Sequence, residues 1–244
     1  MPRLLILLTL PPDVTEQYRQ QLSRKFPELT IDVCSDKAKA EDAIKAADML
    51  LTFGQMLKNL KFDIKDAVNL KWIQALGTGM DGITDQPSLK PSVTITSLHG
   101  VHGAPVSEAA IAGMFTLARD IPRFVRNQDT QTWGRWPAKL LSEKTCGILG
   151  IGVISEALAP KCKALGMKTI GFTSKPRPVP GFDEVCGMSD FIKRVPEIDH
   201  LITTHQGGFC DTYVDLAMPI LEQNMRCFLD GNLKGMVNVV RAAS

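Results

Sequence analysis

Thr145-Cys146-Gly147-Ile148-Leu149-Gly150-Ile151-Gly152 runs into Val153-Ile154-Ser155-Glu156-Ala157-Leu158-Ala159, and a little later comes Leu165-Gly166-Met167-Lys168-Thr169-Ile170-Gly171-Phe172-Thr173-Ser174. A short apolar run ends in two glycines spaced G-x-G. Apolar residues then recur at Val153, Ala157, Leu158 and Leu165, roughly a helical period. A second apolar run follows. Strand, glycine turn, helix, strand is the first half of a dinucleotide-binding unit. Gly150 permits the tight turn out of the strand. Gly152 lets the backbone approach a pyrophosphate, which a Cβ there would strike. The N–H groups around Ile151, Val153 and Ile154 then face the phosphates, helped by the helix dipole. Ser155 stands where the pattern prefers Gly or Ala; it is small, but it is a departure.

The end of the second strand should select the cofactor. An acid about 20 residues past the turn binds a ribose 2′-hydroxyl, whereas a cation accommodates a 2′-phosphate. Here the strand ends Thr173-Ser174-Lys175-Pro176-Arg177, with no acid before Asp183. Two hydroxyls and two cations favour NADP over NAD.

Whole-chain properties bound the rest. The 244 residues allow one or two domains. A hydrophobic content of 44% and a charged content of 22% are those of an ordinary globular protein. A net charge of +2, from 28 basic and 26 acidic residues, gives no case for nucleic acid or an anionic membrane as partner. Six scattered cysteines without a C-x-x-C pair read as reduced thiols in a cytoplasmic setting and not as a disulfide framework or metal site. The apolar start Leu4 to Leu10 is short and is followed by Pro11-Pro12-Asp13, so it reads as a buried strand and not a leader. No run reaches the length of a membrane span.

Strands are expected at the start, at Leu29 to Cys34, Met49 to Phe53, Leu70 to Leu76 and Val93 to Ser97. Helices are expected at Val14 to Phe26 and Asp42 to Ala47. Strands that alternate with helices and are largely apolar predict a parallel sheet covered on both faces. The fourth strand ends in Gly77-Thr78-Gly79-Met80-Asp81-Gly82. Ligands of open α/β sheets bind at the carboxyl ends of strands. This loop reads equally as a plain turn and as a cradle whose N–H groups at Thr78 and Gly79 hold a carboxylate. One long apolar helix is expected over Ala104 to Arg126, opened by Pro105 and buried in an interface. After Ser174 come a proline-rich loop, a short helix at Asp190 to Arg194, a strand at His200 to Thr203, an amphipathic helix at Asp211 to Leu229 and a short apolar end at Asn238 to Val240.

Together these stretches resemble the D-isomer-specific 2-hydroxyacid dehydrogenases. Asn69 to Gln74 with Gly77-Thr78-Gly79-Met80-Asp81 looks like the family's substrate loop. Ser107-Glu108 and its helix look like the interdomain and dimer helix. Thr204-His205-Gln206-Gly207-Gly208 looks like the catalytic histidine loop. The C-terminal helix matches through Phe228-Leu229 and Asn238-Val239-Val240. The resemblance implies two Rossmann-like α/β domains. Residues 1–100 with 206–244 would be the substrate domain, and 101–205 the dinucleotide-binding domain. It implies hydride exchange between NADP or NAD and a small 2-oxo or 2-hydroxy acid of glyoxylate or hydroxypyruvate type, in a homodimer formed through helix 104–126. His205 would be the acid/base, a role that imidazole suits because it titrates near neutral pH.

The family's arginine, which grips the substrate carboxylate, and its glutamate, which orients the histidine, do not carry over. Both belong between the strand near Leu201 and the histidine loop, and here those two adjoin. A full dinucleotide fold has about six strands; about three are legible after Thr145. The dinucleotide-binding domain therefore reads as truncated, its second half missing, and the chain as weak or inactive. A non-catalytic NAD(P)-binding or dimerising protein is the alternative. Arg241, in Asn238-x-x-Arg241, matches the family arginine's spacing from an Asn. It follows the histidine when it should precede it, so it is rejected as a substitute.

Overall fold

The computed structural model describes residues 1–200, 208 and 210–243. The chain divides into two compact units, Met1–His99 with Asp211–Ser244, and Gly100–Cys210.

The first unit opens with β1 (Arg3–Leu7) and α1 (Pro12–Lys25). Pro12 and Asp13 start this helix, Arg24 and Lys25 end it, and Thr15, Tyr18 and Leu22 form its buried stripe. β2 (Thr30–Cys34) leads to α2 (Lys37–Ala43), whose N–H at Lys39 donates to the Asp36 carboxylate at 3.0 Å. That cap explains why the helix starts earlier than the Asp42 expected from the sequence. β3 (Met49–Thr52) is followed by α3 (Gly54–Leu60), a short helix the sequence pattern did not signal. β4 (Trp72–Ala75) and β5 (Thr94–Thr96) complete the run.

The second unit begins with α4 (Gly103–Arg119) and α5 (Ile121–Asp129), two helices where one was expected. The break is at Asp120, in the left-handed region at φ 52°. Its cause is Pro122, which has no N–H to offer the Ala118 carbonyl; that oxygen accepts from Lys139 N–H at 2.9 Å instead. Then come β6 (Thr145–Leu149), α6 (Val153–Ala164), β7 (Lys168–Thr173), β8 (Glu184–Gly187) and α7 (Phe191–Arg194). β8 is a half-buried edge strand without a strong apolar pattern, so it was not expected. The sheet order is β6-β7-β8, all parallel, and a parallel bridge from Cys146 to His200 lies on the other side of β6. The strand expected from His200 to Thr203 lies, beyond its first residue, outside the described residues.

The chain returns to the first unit through α8 (Tyr213–Leu229) and β9 (Val239–Arg241). The sheet order there is β2-β1-β3-β4-β5-β9, parallel except for β9 against β5. One face packs Leu5, Leu50, Ile73 and Ile95 into a core with Ile44, Leu57 and Phe62. Through the other face runs a buried polar chain. Trp72 Nε1 donates to Thr96 Oγ1 at 2.8 Å, Thr96 Oγ1 to Gln74 Oε1 at 2.8 Å, and Asn224 Nδ2 to the same oxygen at 3.0 Å. Asn224 also accepts from Val237 N–H at 2.8 Å, so α8 and the tail are tied to the sheet. Arg241 donates to the carbonyls of Lys90 at 2.7 Å and Val93 at 3.2 Å, which gives it a structural task beside β5. Both units are α/β with parallel-dominated sheets.

Candidate functional site

The glycine turn joins β6 to α6. Gly150 has φ +82° and donates its N–H to the Phe172 carbonyl at 2.9 Å, so the turn is fastened to β7. A side chain there would be strained. Gly152 is different: its φ of −167° is extended backbone that any residue adopts. A Cβ built on it meets nothing of this chain within 4 Å. The glycine therefore preserves open space in front of α6, the cradle that a pyrophosphate needs.

Ser155 explains its own presence. Its Oγ accepts from Gly152 N–H at 2.7 Å and donates to the Gly152 carbonyl at 2.9 Å, and the side chain is buried. This is a helix-capping arrangement. It takes the Gly152 N–H out of play. The first-turn N–H groups of Val153 and Ile154 find no acceptor among the described residues and remain for an anion. Ile151 turns its side chain toward Gly171, where an added Cβ would lie 2.8 Å from Ile151 Cδ1. Gly103 of α4 packs similarly closely on Val153 and Ala157, which seats α6 against α4.

At the carboxyl end of β7, Ser174, Lys175 and Arg177 are exposed and Thr173 is half-buried. Lys175 N–H donates to Thr173 Oγ1 at 3.5 Å, and no ion pair holds the Lys175 ammonium among the described residues. Arg177 pairs with Glu156, in the first turn of α6, at 3.2 Å. Asp183, the nearest acid in sequence, is engaged elsewhere. Its carboxylate accepts from Lys163 at 2.8 Å, from Thr169 N–H at 2.8 Å and from the Thr169 hydroxyl at 3.0 Å. Lys163 first and Thr169 second hold its pKa down to about 2. Thr169 lies four residues before Thr173, on the order of 13 Å along a strand, so Asp183 is not at the ribose end.

In the first unit, β4 delivers the loop from Gly77 to Gly82. Thr78 and Gly79 are exposed, their N–H groups have no acceptor among the described residues, and a Cβ on Gly79 would meet nothing within 4 Å. Both ends of the loop are fixed. The Gly77 carbonyl accepts from Leu98 N–H at 3.2 Å. Gly82, at φ +91°, lies so close to Gly54 that a Cβ on it would stand 2.1 Å from the Gly54 carbonyl oxygen. That close approach of two glycines was invisible in the sequence, because they are 28 positions apart and α3 was not expected.

His205 lies outside the described residues, as do its neighbours Thr204, Gln206 and Gly207. Gly208 is described, and its added Cβ would stand 3.2 Å from the His102 ring. No group of three or more His, Cys, Asp or Glu among the described residues could hold a metal ion. No disulfide joins any of the six cysteines. A hydrogen bond with Cys162, together with burial, pushes the Cys146 thiol far up, so it stays protonated. No helix among the described residues is long and apolar enough to cross a membrane.

Comparison with known proteins adds likenesses that include the stretch with the glycine turn. Residues 111–206 match the family model described as D-isomer specific 2-hydroxyacid dehydrogenase, NAD binding domain. D-3-phosphoglycerate dehydrogenase from Archaeoglobus fulgidus is 31% identical over 140 residues, 53% of this chain and 27% of that protein. Hydroxypyruvate reductase from Thermotoga maritima is 30% identical over 137 residues, 53% of this chain and 45% of that protein. The chain thus spans less than half the length of these two relatives. A crystal structure of a D-isomer specific 2-hydroxyacid dehydrogenase family protein from Aeromonas salmonicida superposes with a TM-score of 0.70 at 26% identity, over 84% of this chain and 65% of that one. Residues 111–206 are thus similar to the NAD-binding domain of the D-isomer specific 2-hydroxyacid dehydrogenases, and the described fold to a solved structure of that family.

Proposed function

We propose that the chain binds NADP in preference to NAD on the Gly150–Ile154 turn. It recognises a small 2-oxo or 2-hydroxy acid of glyoxylate or hydroxypyruvate type, and it catalyses hydride transfer weakly or not at all. The carrying observation is the turn itself: Gly150 at a positive φ that a side chain would strain, open space at Gly152, and the Val153 and Ile154 N–H groups unclaimed among the described residues at a helix N-terminus. A pyrophosphate fits that donor set by charge and by room. The ammonium of Lys175, without an ion pair among the described residues, and the hydroxyls of Thr173 and Ser174 support a 2′-phosphate, and the engagement of Asp183 elsewhere removes the usual competitor.

Residues 1–100 with 206–244 serve as the substrate domain in this reading, and residues 101–205 as the dinucleotide-binding domain. The N–H groups of Thr78 and Gly79 hold the acid's carboxylate. His205 gives or takes the proton at the substrate oxygen, and a bound nicotinamide would supply or accept the hydride. Low turnover follows from the sequence between His200 and His205, which is only Leu201-Ile202-Thr203-Thr204 and leaves no place for the family's arginine and glutamate. The same shortness favours the second reading, a non-catalytic NAD(P)-binding or dimerising protein.

Calorimetric titration with NADPH and NADH, on protein with a cooperative thermal transition, tests the first part. Saturable binding, tighter for NADPH, is expected; a folded chain that binds neither overturns the proposal. Glyoxylate and hydroxypyruvate turnover separates the readings. Slow but saturable turnover is expected of the enzyme, binding without turnover identifies the second reading, and turnover matching an intact family enzyme contradicts the predicted weakness.

A further inference from the structure

The substrate loop of the first unit is built from beneath by two aromatic residues that the carboxylate reading does not use. Tyr213 is the first residue of α8 and is buried. Its hydroxyl donates to the carbonyl of Leu76, the residue immediately before Gly77. Its ring stacks on Phe53, with centroids 6.3 Å apart and planes at 26°. Phe53 in turn sits under Gly77, whose added Cβ would lie 3.6 Å from Phe53 Cδ1. Phe53 also leads directly into Gly54, the residue that clamps Gly82. One aromatic pair thus touches the start of the loop that presents Thr78 and Gly79, and Phe53 is next in the chain to Gly54, which packs on its far end.

We propose that Tyr213 is a positioning residue: its hydroxyl on Leu76, and its ring through Phe53, hold the loop so that the N–H groups of Thr78 and Gly79 converge on a carboxylate. The inference rests on assigning those two N–H groups to the substrate. The physical need is clear. Two backbone donors bind an anion well only when both are aimed before it arrives. A loop with glycines at positions 77, 79 and 82 has no stiffness of its own. A buried hydroxyl on the carbonyl at the loop's root supplies that stiffness. It also links the loop to the start of α8, the segment that follows the histidine loop in the chain.

The test compares wild type with Tyr213→Phe, which keeps the ring, and Tyr213→Leu, which loses it. Amide hydrogen exchange reads the loop without any ligand. Exchange at the hydrogen-bonded amides that fasten the loop, Leu98 on the Gly77 carbonyl and Ile83 on the Met80 carbonyl, is expected to quicken about tenfold in Tyr213→Phe and further in Tyr213→Leu, with Trp72–Ala75 unchanged. Unaltered exchange at Leu98 and Ile83 overturns the proposal, as does an equal loss across β4, which would make Tyr213 a general stability residue. Titration with oxamate, an unreactive 2-oxo acid analogue, reads function. The Tyr213→Phe Kd for oxamate is expected to rise about tenfold while that for NADPH stays within about twofold. Wild-type protein whose Thr78 and Gly79 amide signals ignore oxamate would refute the substrate assignment alone. The exchange result would still decide whether Tyr213 positions the loop.

Discussion

Gly150 and Gly152 are two positions apart and do different work, which substitution can separate. Gly150 needs its positive φ, so Gly150→Ala is expected to cost about 1–3 kcal/mol of stability, seen as a lowered denaturation midpoint. Gly152 is in extended backbone beside empty space. Gly152→Val should leave the thermal midpoint within a degree or two yet raise the Kd for NADPH about a hundredfold or more, because its branches occupy the pyrophosphate's place. A second pair separates at the end of β7. Lys175 has no ion-pair partner among the described residues, whereas Arg177 already faces Glu156. Lys175→Ala is therefore expected to weaken NADPH binding selectively, about tenfold, and Arg177→Ala to weaken it less; NADH titrations provide the control. The glycines were legible in sequence because their spacing is the chemistry. Ser155 was legible only as a departure. That it caps Gly152, and so decides which N–H groups stay open, depends on two distances that no spacing rule encodes.

Elements were recovered where apolar periodicity is strong and missed where a single contact sets the boundary. β1, β3 and β4 are buried on both faces and read plainly. α3 begins at a glycine pressed on the Asp81 carbonyl, and β8 is an edge strand tied by charge, through Lys168–Glu184 at 2.7 Å and Arg194–Glu184 at 2.9 Å. β8 carries no strong apolar pattern, and α3 has only Met56, Leu57 and Leu60 over less than two full turns. The break between α4 and α5 was hidden by continuous apolar residues, although Pro122 was its signal. Since Asp120 holds a left-handed conformation, Asp120→Gly should stabilise the chain by about 1 kcal/mol, while a β-branched residue there should destabilise it. The link from α7 back to the sheet also depends on buried packing, where the Phe172 and Phe191 rings meet edge-on at 5.2 Å. For β7, Asp183 makes stability depend on pH. Its pKa is depressed in the folded chain from 3.8 to about 2 by Lys163 and Thr169. The stabilisation is present above pH 3.8 and disappears as pH falls through about 2. Thermal scans from pH 7 downward should show the second unit losing stability across that window, and Asp183→Asn should flatten that part of the curve.

At the scale of the whole molecule, the proposed homodimer draws on the apolar surface left on the second unit. Leu117 at the end of α4 is 68% exposed, Trp133 is 90% exposed, and Ile121, Phe124, Val125 and Leu140 are exposed with them. Single exposed apolar residues are ordinary on any protein; six of them within residues 117–140 are a concentration that an interface would use. The run is also pre-organised. Phe124 packs on Trp136 with centroids 4.5 Å apart, and the Arg123 guanidinium lies 4.3 Å over the Trp136 ring. Rigid aromatics with an arginine are the composition from which interface hot spots are made, because little side-chain entropy is lost when they are covered. Pro122 has a consequence here too: by splitting the helix it sends α5 off as a separate element, all of it outside the core. Sedimentation is therefore expected to give a dimer at micromolar concentration. Leu117→Glu with Val125→Glu should convert it to a monomer, since two charges per protomer would be desolvated at a self-complementary interface. NADPH titration of that variant gives the decisive comparison. The glycine turn's own contacts, Phe172 on Gly150 and Ser155 on Gly152, all lie within one protomer, so coenzyme affinity should persist in the monomer. A wild-type chain that sediments as a monomer would refute the dimer, and a monomeric variant that no longer binds coenzyme would show that the turn needs its partner.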